Sequence, residues 1–488
     1  MSAVHVRADR PRVLLVSTNR ERAPYPVLPN GMACVASALA SAGHDVRIAD
    51  LMFARDAAAE AARAACDFRP DVIGVSVRNI DNSDAIALRH YTPDAAATLH
   101  ALRVAAPRAT VIAGGAAFGV APAALFSELG VDYAVAGDGE RASVALVADL
   151  AAGREPGVIP GLVRAEGDGV AFAPPGEEAD LDALPRPALH RWLNVKRYER
   201  IGATVPVQTK RGCVYKCVYC TYRNVEGWGY RLRDPECVAD EIAELHANGV
   251  RHIDFVDSTF NSPPGHARDV CAAIARRGLG MTLETTNFTP AAAFPDLLDA
   301  MRHAGFTALG ITAESASDAV LEKLQKGFTA ETVRVAAERV ERARIRVLWI
   351  FLVGGPGETA RTMEETLTFA KWRLERGDAV YLTVGLRIYP GTTLHDIAVA
   401  EGTVAANDPL LAPTFYLAPG LTFESVVARL RAFAASHPRF MFSADSRSPI
   451  LPLLMRAASI LRLPRPHWRY MGLFQRVTRL RTAGAHAG

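Results

Sequence analysis

Two runs of short apolar segments, separated by glycine turns and stretches of helical pattern, constrain the fold of this 488-residue chain more than any other feature. The first run comprises residues 13–17 (Val-Leu-Leu-Val-Ser), 46–49, 71–77 (Asp-Val-Ile-Gly-Val-Ser-Val), 110–113 before Gly114-Gly115, and 133–136 before Gly137-Asp138-Gly139-Glu140. Continuous apolar strands of this length suit a parallel sheet covered on both faces. Alternation with helices then implies a doubly wound α/β domain over residues 1–150 that binds ligands beyond the carboxyl ends of its strands. The loops 18–31, 78–84, 114–120 and 137–140 are expected to line that crevice. No GxGxxG follows the first strand, which gives a nicotinamide site little support.

A second alternation starts near Val205, with strands expected at 205–209, 254–257, 281–285, 308–313, 347–353 and 381–388. The first of these delivers Lys210-Arg-Gly-Cys213-Val-Tyr-Lys-Cys217-Val-Tyr-Cys220 into the loop that follows it, the end where barrel enzymes keep their chemistry. Three thiolates in a CxxxCxxC run suit a 4Fe–4S cluster with one iron left open. A zinc site is the competing reading, but it wants a fourth ligand, and Cys237 and Cys271 lack paired spacing.

CxxxCxxC with an aromatic residue before its last cysteine, here Tyr219, resembles the signature of the radical S-adenosylmethionine (SAM) enzymes. The resemblance implies an open, partial (β/α)6 barrel over residues 200–395. Cys213, Cys217 and Cys220 would be the metal ligands and catalytic residues, and the open iron would chelate SAM. It further implies that the turn at Asp257 and Ser258 meets the amino group of SAM. Glu314 and Ser315 would meet the ribose, and the Gly354, Gly355, Gly357 and Glu358 turn the adenine.

Taken in order, Leu28-Pro-Asn-Gly31, the third strand, Gly114-Gly115 and Gly137-Asp-Gly139-Glu140 resemble the cobalamin-binding domain that precedes many radical SAM cores. No Asp-x-His-x-x-Gly follows the first strand, so no axial histidine is expected. Arg78, always protonated, is the candidate neighbour of the lower face of cobalt; the alternative is an arginine paired with Asp81 or Asp84. The function implied is a cobalamin-dependent methyltransferase acting on a poorly activated carbon of a specialised metabolite or lipid. It would work through a 5'-deoxyadenosyl radical and methylcobalamin, with an electron donor such as flavodoxin or ferredoxin. The alternatives are a radical rearrangement, cyclisation or oxidation without methyl delivery, and a redox sensor.

A net charge of +3 argues against a dedicated nucleic-acid binder, and seven cysteines with three clustered do not form a disulfide framework. The opening residues carry no apolar signal core and no apolar run reaches about 18 residues, so a soluble cytoplasmic protein is expected. Residues 151–199, rich in glycine, proline and acid, read as a linker. Arg231, Arg233 and Glu236 flank an expected helix start at Asp234-Pro235, while Tyr222, Arg223 and Trp228 lie near enough to the cysteines to face substrate. Residues 396–488 are expected to be helical. Their last part, 446–488, is basic and aromatic, with eight arginines and no acid after Asp445. Membrane-surface contact or a helical cap on the barrel both fit it.

Overall fold

The computed structural model describes residues 10–23, 25–176, 180–443, 451–461, 463, 465–470 and 472–473. Most of the basic tail, Phe474 included, lies outside the described residues.

The first sheet contains β1 (Arg12–Ser17), β2 (Asp45–Asp50), β3 (Val72–Ser76), β4 (Thr110–Gly114) and β5 (Tyr133–Val135), parallel in the order β2-β1-β3-β4-β5. Side chains alternate between two cores, as a strand covered on both faces requires. Leu14, Val16, Ile73 and Val75 pack on helices Ala57–Phe68 and Thr92–Ala105. Val13, Leu15 and Val72 pack on helices Asn30–Ser41 and Gly139–Ala151. The stretch read as a linker adds β6 (Leu162–Glu166) and β7 (Gly169–Phe172), which extend this sheet antiparallel beyond β5. Their glycines and prolines hid a short hairpin at the sheet edge that gains its order from the pairing of β6 with β5.

Six parallel strands form the second sheet in sequence order: β8 (Val205–Val207), then β11 (His252–Phe255), β12 (Thr282–Phe288), β13 (Phe306–Glu314), β14 (Arg346–Val353) and β15 (Ala379–Val384). Small antiparallel pairs carry the intervening labels. β9 (Lys210–Arg211) pairs with β10 (Arg231–Leu232), and β16 (Leu386–Arg387) with β17 (Phe415–Tyr416). A seventh parallel strand, β18 (Phe440–Phe442), joins β15 from the region expected to be helical. The sheet curves without closing, so among the described residues β8 and β18 are its two edges.

The described part of the tail spans that gap. Arg465 donates to the carbonyls of Glu199, Gly202 and Ala203 just before β8, while Leu454, Trp468 and Tyr470 pack with Ala379 and Met441 near β18. Trp468 and Arg465 therefore cap the barrel, whereas Leu453, Ile460 and Leu461 remain exposed. No helix among the described residues is long and apolar enough to cross a membrane.

Candidate active site

The cysteine loop is held by its own backbone and by buried charge. Gly212 sits at φ +88°, and a Cβ there would lie 1.7 Å from the Gly229 carbonyl oxygen, so only glycine lets the chain turn at this point. Cys213 N donates to Gly227 O and Val218 N to Leu324 O, each at 3.2 Å. Below the loop, the fully buried Asp257 carboxylate accepts from Thr209 N and Oγ1, both at 2.7 Å, and from Lys210 Nζ at 3.1 Å. Asp257 thus points its side chain at the root of the loop instead of into the site. Ser258 Oγ likewise donates to Gly212 O at 2.6 Å.

Next to Cys217 and Cys220 lies a cation that the sequence did not single out. Lys326, almost fully buried, sits 3.2 Å from the Tyr219 hydroxyl and 3.4 Å from Glu314 Oε1, and Tyr219 donates to the same oxygen at 2.8 Å. Burial pushes the Cys217 thiol up and the Cys220 thiol to about 12, while Lys326 pulls both back toward thiolate. A buried ammonium facing thiols suits a metal-bound thiolate set. Among the described residues no three His, Cys, Asp or Glu side chains converge as a single metal ion requires. Thiolates that each take a different iron of a four-iron cluster need not converge on one point.

The remaining strand-end residues divide. Glu314 ends β13 at φ +65° and completes a triangle with Lys326 and Tyr219. Ser315 is fully buried, within 3.1 Å of Thr366 Oγ1 and accepting from Ser317 N, so its hydroxyl serves the turn. The Gly354–Glu358 turn packs on protein: Leu417 stands over Gly354, Leu324 beside Gly355 and Lys323 beside Gly357. Glu358 accepts from Thr362 Oγ1 at 2.5 Å, and its other carboxylate oxygen has no partner; burial lifts its pKa to about 7.

Of the four loops expected to line the crevice of the first sheet, two do so. Glu21, Ala23 and Tyr25 after β1, and Asn82, Ser83 and Asp84 after β3, line a cavity of about 790 Å³ whose far wall includes Tyr219, Cys220 and Tyr222. Arg78 is exposed at the end of β3, and its charge is felt by the phenols of Tyr25 and Tyr222. The pairing with Asp81 does not form, because Asp81 is bound by Arg387 of the barrel at 2.7 Å.

The other two loops clamp the domains together. Gly114 and Gly115 lead into helix Ala116–Val120, whose Gly119 lies against Val225 in the helix after Cys220. At Gly115 the φ of +99° is imposed by the Val77 carbonyl, 2.5 Å from where a Cβ would be. Gly137 and Gly139 are covered by Pro175 and Val35. Beyond them Glu140 binds Arg211 at 2.5 Å and Asp138 binds both Arg211 and Arg231. Glu140 therefore joins the domains and does not face the cavity. The signal available in sequence was its neighbour Asp138, a second acid opposite a loop with two arginines.

Arg233 binds Glu241 at 2.7 Å and Asp182, and Asp234 caps helix Pro235–Ala247 as expected, while Glu236 pairs with Arg276 and Arg277 at the surface. Tyr222 reaches the cavity; Arg223 instead stacks on Trp228 with 3.2 Å between guanidinium and ring.

Comparison with known proteins agrees with this geometry. The family model for the radical SAM superfamily matches residues 207–370, and that for the B12 binding domain matches residues 16–147. The chain therefore carries a radical SAM domain and a B12-binding domain. This radical SAM enzyme is 28% identical over 399 residues to an uncharacterized methyltransferase of Pyrococcus horikoshii, covering 80% of this chain and 83% of that protein. It is also 28% identical to tryptophan 2-C-methyltransferase of Streptomyces laurentii, covering 52% of this chain and half of that one. The structure of the radical SAM methyltransferase TsrM from Kitasatospora setae, with cobalamin and a 4Fe–4S cluster bound, superposes with a TM-score of 0.83. The match spans 97% of this chain and all of that one at 23% identity, a likeness of fold.

Proposed function

We propose that this radical SAM enzyme is a cobalamin-dependent methyltransferase acting on a poorly activated carbon of a small metabolite. The observation that carries the reading is the shared cavity: loops at the carboxyl edge of the B12-binding domain and the cysteine loop of the barrel face one another across it. A carbon held between them lies within reach of both domains.

Cys213, Cys217 and Cys220 would hold the cluster, with Lys326 balancing its charge. Glu314, the Ser258 turn and the backbone of the Gly354–Glu358 turn would hold SAM, and Arg78 with the cavity-lining residues Glu21, Tyr25 and Asn82 the corrinoid. Cluster, SAM and cobalamin together supply a transferable methyl group and one-electron chemistry, which an acceptor without nucleophile or acidic proton requires. The chain's own task is to bind and orient that acceptor, to keep water from it behind the Arg465–Trp468 cap, and to hold the two domains in register. Methyltransferase relatives support the reading. So does the chemistry of the cavity, whose walls are largely apolar along Leu348, Ile350 and Leu352.

The test is product stoichiometry. SAM turnover with reductant and an acceptor should yield S-adenosylhomocysteine and 5'-deoxyadenosine in step with a methylated product. Deoxyadenosine with no S-adenosylhomocysteine would replace methyl transfer with rearrangement, cyclisation or oxidation.

A further inference from the structure

The inner end of the cavity carries an acidic pair that none of the roles above uses. Asp254 on β11 and Glu284 on β12 are direct neighbours in the parallel register, so both side chains leave the same face of strands about 4.8 Å apart. Both are more than nine-tenths buried and both line the cavity. They lie on the barrel wall near the Arg465–Trp468 cap, below the level of the cysteine loop.

The two acids differ in how they are compensated. Glu284 Oε1 is 3.6 Å from His252 Nε2 and feels the charge of Arg465. Asp254 has no cationic partner among the described residues, and its buried Oδ1 accepts no hydrogen bond. Burial first, then Glu284 and Asp257, hold its carboxyl well above the usual carboxylate range. Leaving such an oxygen unsatisfied inside a protein is costly, and the cost disappears when a ligand donates to it. The surroundings suit such a donor: Thr286 and Asn287 continue the polar wall along β12, and the Tyr25 hydroxyl reaches in beside them from the first domain. Across the cavity Leu348, Ile350, Leu352 and Met441 form an apolar wall.

We infer that Asp254 and Glu284 form the recognition site for a protonated amine of the substrate, whose apolar body lies along β14. The substrate class is therefore an amine-bearing molecule with an aryl or alkyl body. A buried carboxylate pair accepts an ammonium better than a neutral hydroxyl, because the cation satisfies Asp254 and relieves the repulsion between the two acids. The inference rests on the cavity being the substrate site proposed above.

The test is titration calorimetry on the holoenzyme with 3-phenylpropylamine and its near-isosteric alcohol, 3-phenylpropanol. The amine should bind at least about tenfold more tightly than the alcohol. Asp254→Asn should remove that preference while leaving alcohol binding as it was, and Glu284→Gln, should Asp254→Asn fail to fold, should do the same. Equal binding of the two probes, no detectable binding of the amine, or a preference that survives both variants would overturn the inference. Turnover of SAM by the wild type separates this from the broader reading. S-adenosylhomocysteine formed without amine preference sinks only the amine site, and amine preference without S-adenosylhomocysteine sinks only the methyl transfer.

Discussion

Arg211, two residues before Cys213, donates to Glu140 of the first domain at 2.5 Å, and both side chains are largely buried. The root of the cysteine loop is thereby tied to the domain that faces it. Asp138 adds a second carboxylate to Arg211 and one to Arg231, so the loop and the B12-binding domain share one ion network. A motion that parted the domains would have to expose four charged groups.

Glu140→Ala leaves a buried guanidinium with Asp138 as its one remaining carboxylate beside the Gln208 amide oxygen. The expected loss is at most about 3 kcal/mol, the scale for breaking a buried pair from one side. Chemical denaturation should read that loss, and iron content after reconstitution should fall with it. Glu140→Ala with unchanged stability and iron content would show that the clamp is idle.

Gly212→Ala places a methyl group 1.7 Å from a carbonyl oxygen at a backbone angle that suits glycine. The loop would have to move, so iron retained per chain should drop by more than half. Gly229→Ala, across the same contact but with open space around its own Cβ position, should keep its iron. Equal iron in both variants would contradict the account of the turn.

At the Tyr219–Glu314–Lys326 triangle the order of two variants is informative. Tyr219→Phe removes hydrogen bonds to a charged group and should cost about 2 kcal/mol. Lys326→Met strips the cation from a buried carboxylate and should cost more, about 3 kcal/mol. Thermal unfolding of both proteins measures the difference. The reverse order would mean that Lys326 is not the counter-charge of Glu314.

Glu358 gives a pH dependence of definite sign. Its folded-state pKa of about 7 lies above the usual 4.5, so the native state holds the extra proton. Stability contributed by that carboxyl is full at low pH, falls as pH rises through the unfolded value, and is lost above about 7. At 1.36 kcal/mol per unit the full difference is about 3 kcal/mol. Glu358→Gln, which mimics the protonated form, should match the wild type near pH 5 and exceed it in melting temperature near pH 8. Parallel melting curves across that range would rule out an ionising Glu358.

The sequence made β1 to β5 of the first sheet and six strands of the second legible because each is a short apolar run with its own turn, a pattern set locally. The cysteine loop was equally plain, since three ligands within eight residues need no tertiary information. What escaped depended on partners far away in the chain. Lys326 lies in a polar stretch with no motif, and only folding brings it beneath Tyr219 and Glu314. Asp254 and Glu284, 30 residues apart, become a pair through strand register alone. Glu140 resembled a crevice residue because its glycines are those of a ligand loop, yet arginines from the other domain claim it. β18 and the Arg465 contact were missed because a three-residue strand and a cap gain their order from the barrel edges they cover.

The central claim is that one chain holds an iron–sulfur cluster and a corrinoid in two facing domains. Anaerobic reconstitution with iron, sulfide and hydroxocobalamin, followed by desalting and assay of both per chain, tests it most directly. The wild type should retain about four irons and one corrinoid, and a variant with Cys213, Cys217 and Cys220 all changed to alanine should lose the iron yet keep the corrinoid. A wild type that retains no corrinoid, or a triple variant that keeps its iron, would contradict the account.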